Sequence, residues 1–90
     1  MTEADLQRKI QVALRLAGAV VTKVHGGPLQ PLMLDLVVGH KGRYYELEVK
    51  LPGESATPRQ RVRLMEVARA GCKGAVVHSV EEALAAIGGE

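Results

Sequence analysis

Tyr44-Tyr45-Glu46-Leu47-Glu48-Val49-Lys50 alternates strictly, which is the period of a β-strand with one face turned to a core. Tyr45, Leu47, Val49 and then Leu51 fall on one side and are expected in the core. Tyr44, Glu46, Glu48 and Lys50 fall on the other. That second face is unusual, because it gathers two carboxylates and an ammonium on one strand of a short chain. Upstream, Met33-Leu34-Asp35-Leu36-Val37-Val38-Gly39 is an apolar run broken by a single acid. His40-Lys41-Gly42-Arg43 joins the two runs, and its Gly marks a tight turn.

With Lys41 and Gly42 as a two-residue loop, Asp35 lies directly opposite Glu48. Opposed residues share a face, so Leu34, Leu36 and Val38 join the apolar side. A slip of one residue would set Asp35 against Leu47 and expose core residues. The apolar pattern therefore specifies the register, and the register gathers Asp35, Glu48 and Lys50.

Around this hairpin the chain carries three helix signatures. Thr2-Glu3-Ala4-Asp5 reads as a capping box, followed by Leu6, Ile10, Ala13, Leu14 and Ala17 at helical spacing and by Gly18 as a stop. Glu3 lies along the stripe of Ile10 and Leu14, bordered by Gln7. It serves there either as a first-turn acid that complements the helix dipole or as a member of the acidic cluster. Ala19 to His25 reads as a strand ended by Gly26-Gly27-Pro28. Residues Pro28 to Leu32 form an apolar, proline-rich loop suited to the core or to another subunit.

Thr57-Pro58-Arg59-Gln60 is a second capping box with Pro at the first helical position. Gln60 is either a cap or a site residue, because it shares a face with Leu64 and Val67. Arg59 and Arg63 are placed on the outer face, as a solvated surface or a phosphate-binding stripe. Gly71 ends this helix. Gly74 to His78 is a last short strand, and Ser79-Val80-Glu81-Glu82 opens a third capped helix that stops at Gly88-Gly89. The expected order is helix, three strands, helix, strand, helix, an α/β sandwich with a mixed sheet.

Composition excludes several classes. The 90 residues, with a net charge of +2, fit a single domain spanning 1–90 with one modest core. There is no Phe and no Trp, and the aromatic content is two Tyr, which argues against base stacking as the main mode of nucleic-acid binding. One Cys leaves no disulfide framework or thiolate zinc site. No apolar run is long enough to span a bilayer and no signal peptide opens the chain, so a cytoplasmic location is expected.

Asp35 and Glu48 suit a hard cation such as Mg²⁺, which one or two carboxylates hold. Lys50 beside them can orient an attacking water and neutralise charge developing on a phosphate. The competing account is a cross-strand charge cluster in which Lys50 offsets Glu46 and Glu48.

The whole arrangement resembles the PD-(D/E)XK nuclease core: an acid, then Glu48-Val49-Lys50 on its hairpin partner, between a helix bearing Glu3 and a Thr-Pro-x-Gln helix. Within that superfamily it is most similar to the small VRR-NUC domains, themselves similar to archaeal Holliday-junction resolvases. The likeness includes Glu3-Ala4-Asp5-Leu6-Gln7, Gly18-Ala19-Val20-Val21, Gly53-Glu54-Ser55-Ala56-Thr57-Pro58-Arg59-Gln60, Ala70-Gly71 and Val76-Val77-His78-Ser79-Val80-Glu81-Glu82-Ala83. It departs at the first acid, where the family usually has Gly-x-Pro-Asp and this chain has Met33-Leu34-Asp35, with Pro28 and Pro31 displaced upstream.

The resemblance implies an αβββαβα restriction-endonuclease-like core with a mixed central sheet flanked by helices. It implies Asp35, Glu48 and the Val49 carbonyl as ligands of Mg²⁺ or Mn²⁺, and Lys50 as the catalytic lysine. Gln60 matches the family's glutamine near the site, and Glu3 its first-helix acid. The implied activity is a structure-selective DNA endonuclease of repair or recombination, acting on branched DNA such as a Holliday junction, as a homodimer. A monomeric flap or single-strand nuclease and a non-catalytic nucleic-acid-binding module are the alternatives.

Overall fold

A computed structural model describes residues 1–25 and 33–88. In chain order the elements are α1 (Glu3–Leu16), β1 (Val20–Lys23), β2 (Leu36–His40), β3 (Arg43–Val49), α2 (Pro58–Arg69), β4 (Lys73–Val77) and α3 (Val80–Ile87). This is the expected αβββαβα order. Pro28 to Leu32, the candidate subunit contact, lies outside the described residues.

The sheet runs β1-β2-β3-β4. Its first two pairings are antiparallel and the third, β3 with β4, is parallel. Lys41 and Gly42 both take positive φ, at 51° and 77°, the geometry of a type I′ turn whose twist matches the flanking strands. The turn sets Leu36 against Leu47 and Val38 against Tyr45, and the same register carried one step further opposes Asp35 to Glu48. β1 is shorter than the expected Ala19–His25, but Val24 N–H still donates to the Asp35 carbonyl at 2.8 Å.

Helices α1 and α3 pack together on one face of the sheet. Leu6, Ile10 and Leu14 of α1 meet Val21, Leu36, Val38, Tyr45, Leu47 and Val49 of the strands and Ala83, Ala86 and Ile87 of α3 in one aliphatic core. Removing this apolar surface from water is the main stabilising term. The second helix, α2, covers the opposite face against β3 and β4. It approaches closely at Gly74, where a Cβ would meet Leu64 Cδ2 at 3.0 Å.

Because β3 is internal and covered on both sides, its two faces are both buried. Glu46 has no exposure and Glu48 has 3%. The polar face of the alternating stretch is therefore an interior layer, closed by α2.

Two of the three capping boxes form in full. Thr2 exchanges hydrogen bonds with Asp5, and Thr57 with Gln60. At α3 the Ser79 hydroxyl accepts from Glu82 N–H, but the Glu82 carboxylate reaches past the cap to His78 N–H, 2.8 Å away. Among the described residues no helix is long and apolar enough to cross a membrane.

Candidate active site

The site is built where β3 runs out of partners. Beyond the last β2 pair, Val49 N–H is taken by the Asp35 side chain, Oδ2 at 2.9 Å. On the other edge Lys50 N–H continues the ladder to the Val77 carbonyl at 3.1 Å. Asp35 thus stands in for missing backbone and is held beside Glu48, which the hairpin register sets opposite it. Lys50 Nζ lies 3.8 Å from Glu48 Oε2, with 15% of its side chain exposed.

Two carboxylates this close, and this dry, cannot both ionise freely. Burial, and then the adjoining Asp35, push the Glu48 carboxyl far above the usual carboxylate range, and Lys50 offsets only part of that effect.

Gln60, in the first turn of α2, reaches both its cap and the site. Its Oε1 accepts from Thr57 N–H at 2.9 Å while its Nε2 donates to Glu48 Oε2 at 3.0 Å. Glu3, at the start of α1, is half-buried. Its carboxyl is raised by partial burial, which the field of Lys50 opposes and those of Asp35 and Glu54 reinforce. Glu3, Asp35, Glu48, Lys50 and Gln60 are therefore neighbours in space, and Val49 is tied to Asp35 through its N–H.

Glu54 also belongs to this neighbourhood, which the spacing of charges in the sequence did not single out. It lies in the turn after β3, where Gly53 has φ of 90°. Its Oε1 accepts from Leu51 N–H at 3.0 Å, and its carboxyl is within hydrogen-bonding reach of Glu3. His78 Nε2 meets the Glu54 carbonyl at 2.9 Å and fastens this turn to the start of α3. Contacts thus join the first turns of α1 and α2, and the residue before the cap of α3, to this neighbourhood.

Arg63 does not lie on the outer face. On the α2 wheel it falls between Arg59 and the inward-facing Val67, so it borders the inward stripe. Its Nε donates to Glu46 Oε1 at 2.9 Å and its Nη2 to Glu46 Oε2 at 2.5 Å, a bidentate pair. Burial opposes ionisation of Glu46, but the bonds from Arg63, the Tyr44 hydroxyl and Leu34 N–H outweigh it and keep the carboxyl below its ordinary value. Lys50 therefore pairs with Glu48, while Glu46 has its own cation. Arg59 is exposed.

Among the described residues no group of three or more His, Cys, Asp or Glu side chains is arranged to enclose a metal ion. The available donors are the Asp35 and Glu48 carboxylates, which suits a cation that keeps several waters. Clefts of about 430 and 490 Å³ open around the hairpin turn. Their walls share no residue with the acidic cluster.

No family model matches the chain, and no curated protein does. Solved structures do. A VRR_NUC domain superimposes with a TM-score of 0.79 at 21% identity, covering 97% of this chain and 95% of that one. A VRR_NUC domain protein gives 0.74 at 18% identity, over 98% of this chain and 86% of its own. Hjc, a Holliday junction resolvase from the archaeal hyperthermophile Archaeoglobus fulgidus, gives 0.68 at 26% identity, over 84% of this chain and 67% of its own. The fold is the restriction-endonuclease-like core of these proteins, in agreement with the resemblance carried by the sequence.

Proposed function

We propose that this chain is a metal-dependent DNA endonuclease selective for branched DNA, related in activity to the Holliday junction resolvases. One observation carries the reading. Asp35, opposed to Glu48 by the hairpin register and bonded to Val49 N–H, faces a buried Glu48 that has Lys50 beside it and Gln60 donating to it. A stabilising charge cluster would place opposite charges together, whereas this one sets two like charges side by side and leaves them short of cations.

Asp35 and Glu48 would hold a Mg²⁺ or Mn²⁺ ion, with the Val49 carbonyl as a further ligand. Bound there, the ion supplies charge neutralisation for a phosphodiester. The Lys50 ammonium orients a water for attack and stabilises charge that grows on the phosphate oxygens. Gln60, held by its cap, keeps the Glu48 carboxylate oriented and presents an amide rather than a second acid to the substrate.

A 90-residue chain offers little surface for gripping a four-way junction. The proposal therefore includes a twofold dimer, which presents symmetry-related sites to the arms of a junction. Labelled four-way junction, flap, single-stranded and duplex DNA, each incubated with Mg²⁺, Mn²⁺ or Ca²⁺, test the activity. Sedimentation tests the assembly. The expected result is junction cleavage with Mg²⁺ or Mn²⁺ by a dimer. A monomer cutting only flaps or single strands would replace the substrate assignment, and binding without cleavage in any metal would replace the enzyme reading with that of a binding module.

A further inference from the structure

The Glu46 carboxylate has no exposure and receives four donors. Oε1 accepts from Leu34 N–H at 3.3 Å and from Arg63 Nε, and Oε2 accepts from the Tyr44 hydroxyl and Arg63 Nη2. These donors come from three places: β3 itself, α2, and the backbone immediately before Asp35. A buried ion pair of this kind gives little net stability against apolar residues of similar volume, so its geometry calls for another explanation.

The geometry supplies one. Leu34 precedes Asp35, and Arg63 follows Gln60 by one helical turn. The same carboxylate therefore fixes the strand end that carries Asp35 and the helix that carries Gln60. Asp35 sits beyond the end of β2, where ladder hydrogen bonds no longer hold its backbone on that side. Val24 N–H holds the Asp35 carbonyl from one edge, and the Glu46 clamp holds the preceding residue from the other.

We propose that Glu46 and Arg63 are positioning residues, whose buried pair sets Asp35 against Glu48 by anchoring the Leu34 amide to helix α2. The inference rests on the functional reading above for its consequence but not for its geometry.

The test reads the Val49 amide, whose N–H reports directly on Asp35 because it donates to Oδ2. Amide exchange is followed by NMR in wild type, Glu46→Gln, and Glu46→Leu combined with Arg63→Met. The apolar double variant preserves volume and leaves no unpaired buried charge. It is expected to fold, yet its Val49 amide should exchange at least about tenfold faster while Leu47 stays protected. Glu46→Gln keeps an oxygen for Leu34 N–H and should retain most of the Val49 protection. The concentration of Mn²⁺ needed for half-maximal DNA cleavage should rise at least about tenfold in the double variant, as for other groups that orient ligands.

Unchanged Val49 protection in a folded double variant overturns the proposal. Should that variant fail to fold, Arg63→Met alone decides. It leaves Glu46 unpaired, so the carboxylate protonates or turns to water, and Val49 protection at the wild-type level would again overturn the clamp. A wild type that cleaves no DNA would refute the functional reading only, and the exchange data would still decide the clamp.

Discussion

Gln60 donates to Glu48 Oε2 at 3.0 Å through Nε2 while its Oε1 caps α2 at Thr57 N–H. Capping and site contact are thus two ends of one amide. The cap locks the rotamer and the rotamer aims the donor at Glu48.

This coupling separates two substitutions. In Gln60→Glu the cap survives, because a carboxylate oxygen accepts from Thr57 N–H equally well. The donor to Glu48 is lost and two acids face each other. Cleavage should fall at least about tenfold, with the melting temperature moving by less than about 4 °C. Gln60→Ala loses the contact that Oε1 makes with Thr57 N–H and should cost about 1 kcal/mol. Junction cleavage and thermal melts of both variants check this, and wild-type activity in Gln60→Glu would reduce Gln60 to a cap.

Asp35→Asn keeps an oxygen for Val49 N–H and removes the charge. The fold should persist, and cleavage should fall by at least about a hundredfold if the carboxylate is a metal ligand. Glu48 provides a second measurement that needs no substrate. Without its like-charged neighbour, its carboxyl should titrate at lower pH than in wild type, as read by carbon-detected NMR. An unshifted Glu48 would mean that burial alone, not Asp35, sets its acidity.

His78 links the turn carrying Glu54 to α3, and its pKa is raised by the Glu54 carbonyl and then by the Glu82 carboxylate, 3.1 Å from Nδ1. A raised folded-state value contributes stability that is fully present below the unfolded value of about 6.5 and is lost as pH rises through the folded value. The melting-temperature gap between wild type and His78→Gln should therefore be larger at pH 6 than at pH 8.5. Equal gaps at the two pH values would show that the imidazolium contributes nothing there.

The elements and register were legible because apolar residues alternate on β2 and β3 and the two-residue turn allows one pairing. Leu34, Leu36, Val38, Tyr45, Leu47 and Val49 are all buried as that pairing requires. What escaped was the second face. An alternating strand reads as half-exposed, yet β3 lies between β2 and β4 with helices on both sides, so Glu46 is interior. Its partner was missed for a related reason. Arg63 was grouped with Arg59, one turn away, whereas its angle on the helix lies as close to the inward-facing Val67 as to Arg59. The contacts of Glu54 with Leu51, His78 and Glu3 come from a turn and two helix starts, which no periodic pattern in the sequence joins.

Lys50 is where a charge cluster and a catalytic site differ most. Its Nζ is 3.8 Å from Glu48, longer than a direct hydrogen bond, so removing it leaves the neighbouring carboxylates with their other contacts. In Lys50→Met the stem still packs along the strand and the positive charge is gone. As a competing cation at the acidic pair, Lys50 opposes metal binding, so Mn²⁺ affinity by isothermal titration should be equal to wild type or tighter. As the group that orients water and stabilises phosphate charge, it is required for turnover. The rate at saturating metal should fall at least about a hundredfold, with little change in the substrate concentration needed for half-maximal rate. Weakened Mn²⁺ binding would make Lys50 a structural support of the ligand pair, and an unchanged rate would remove it from the chemistry.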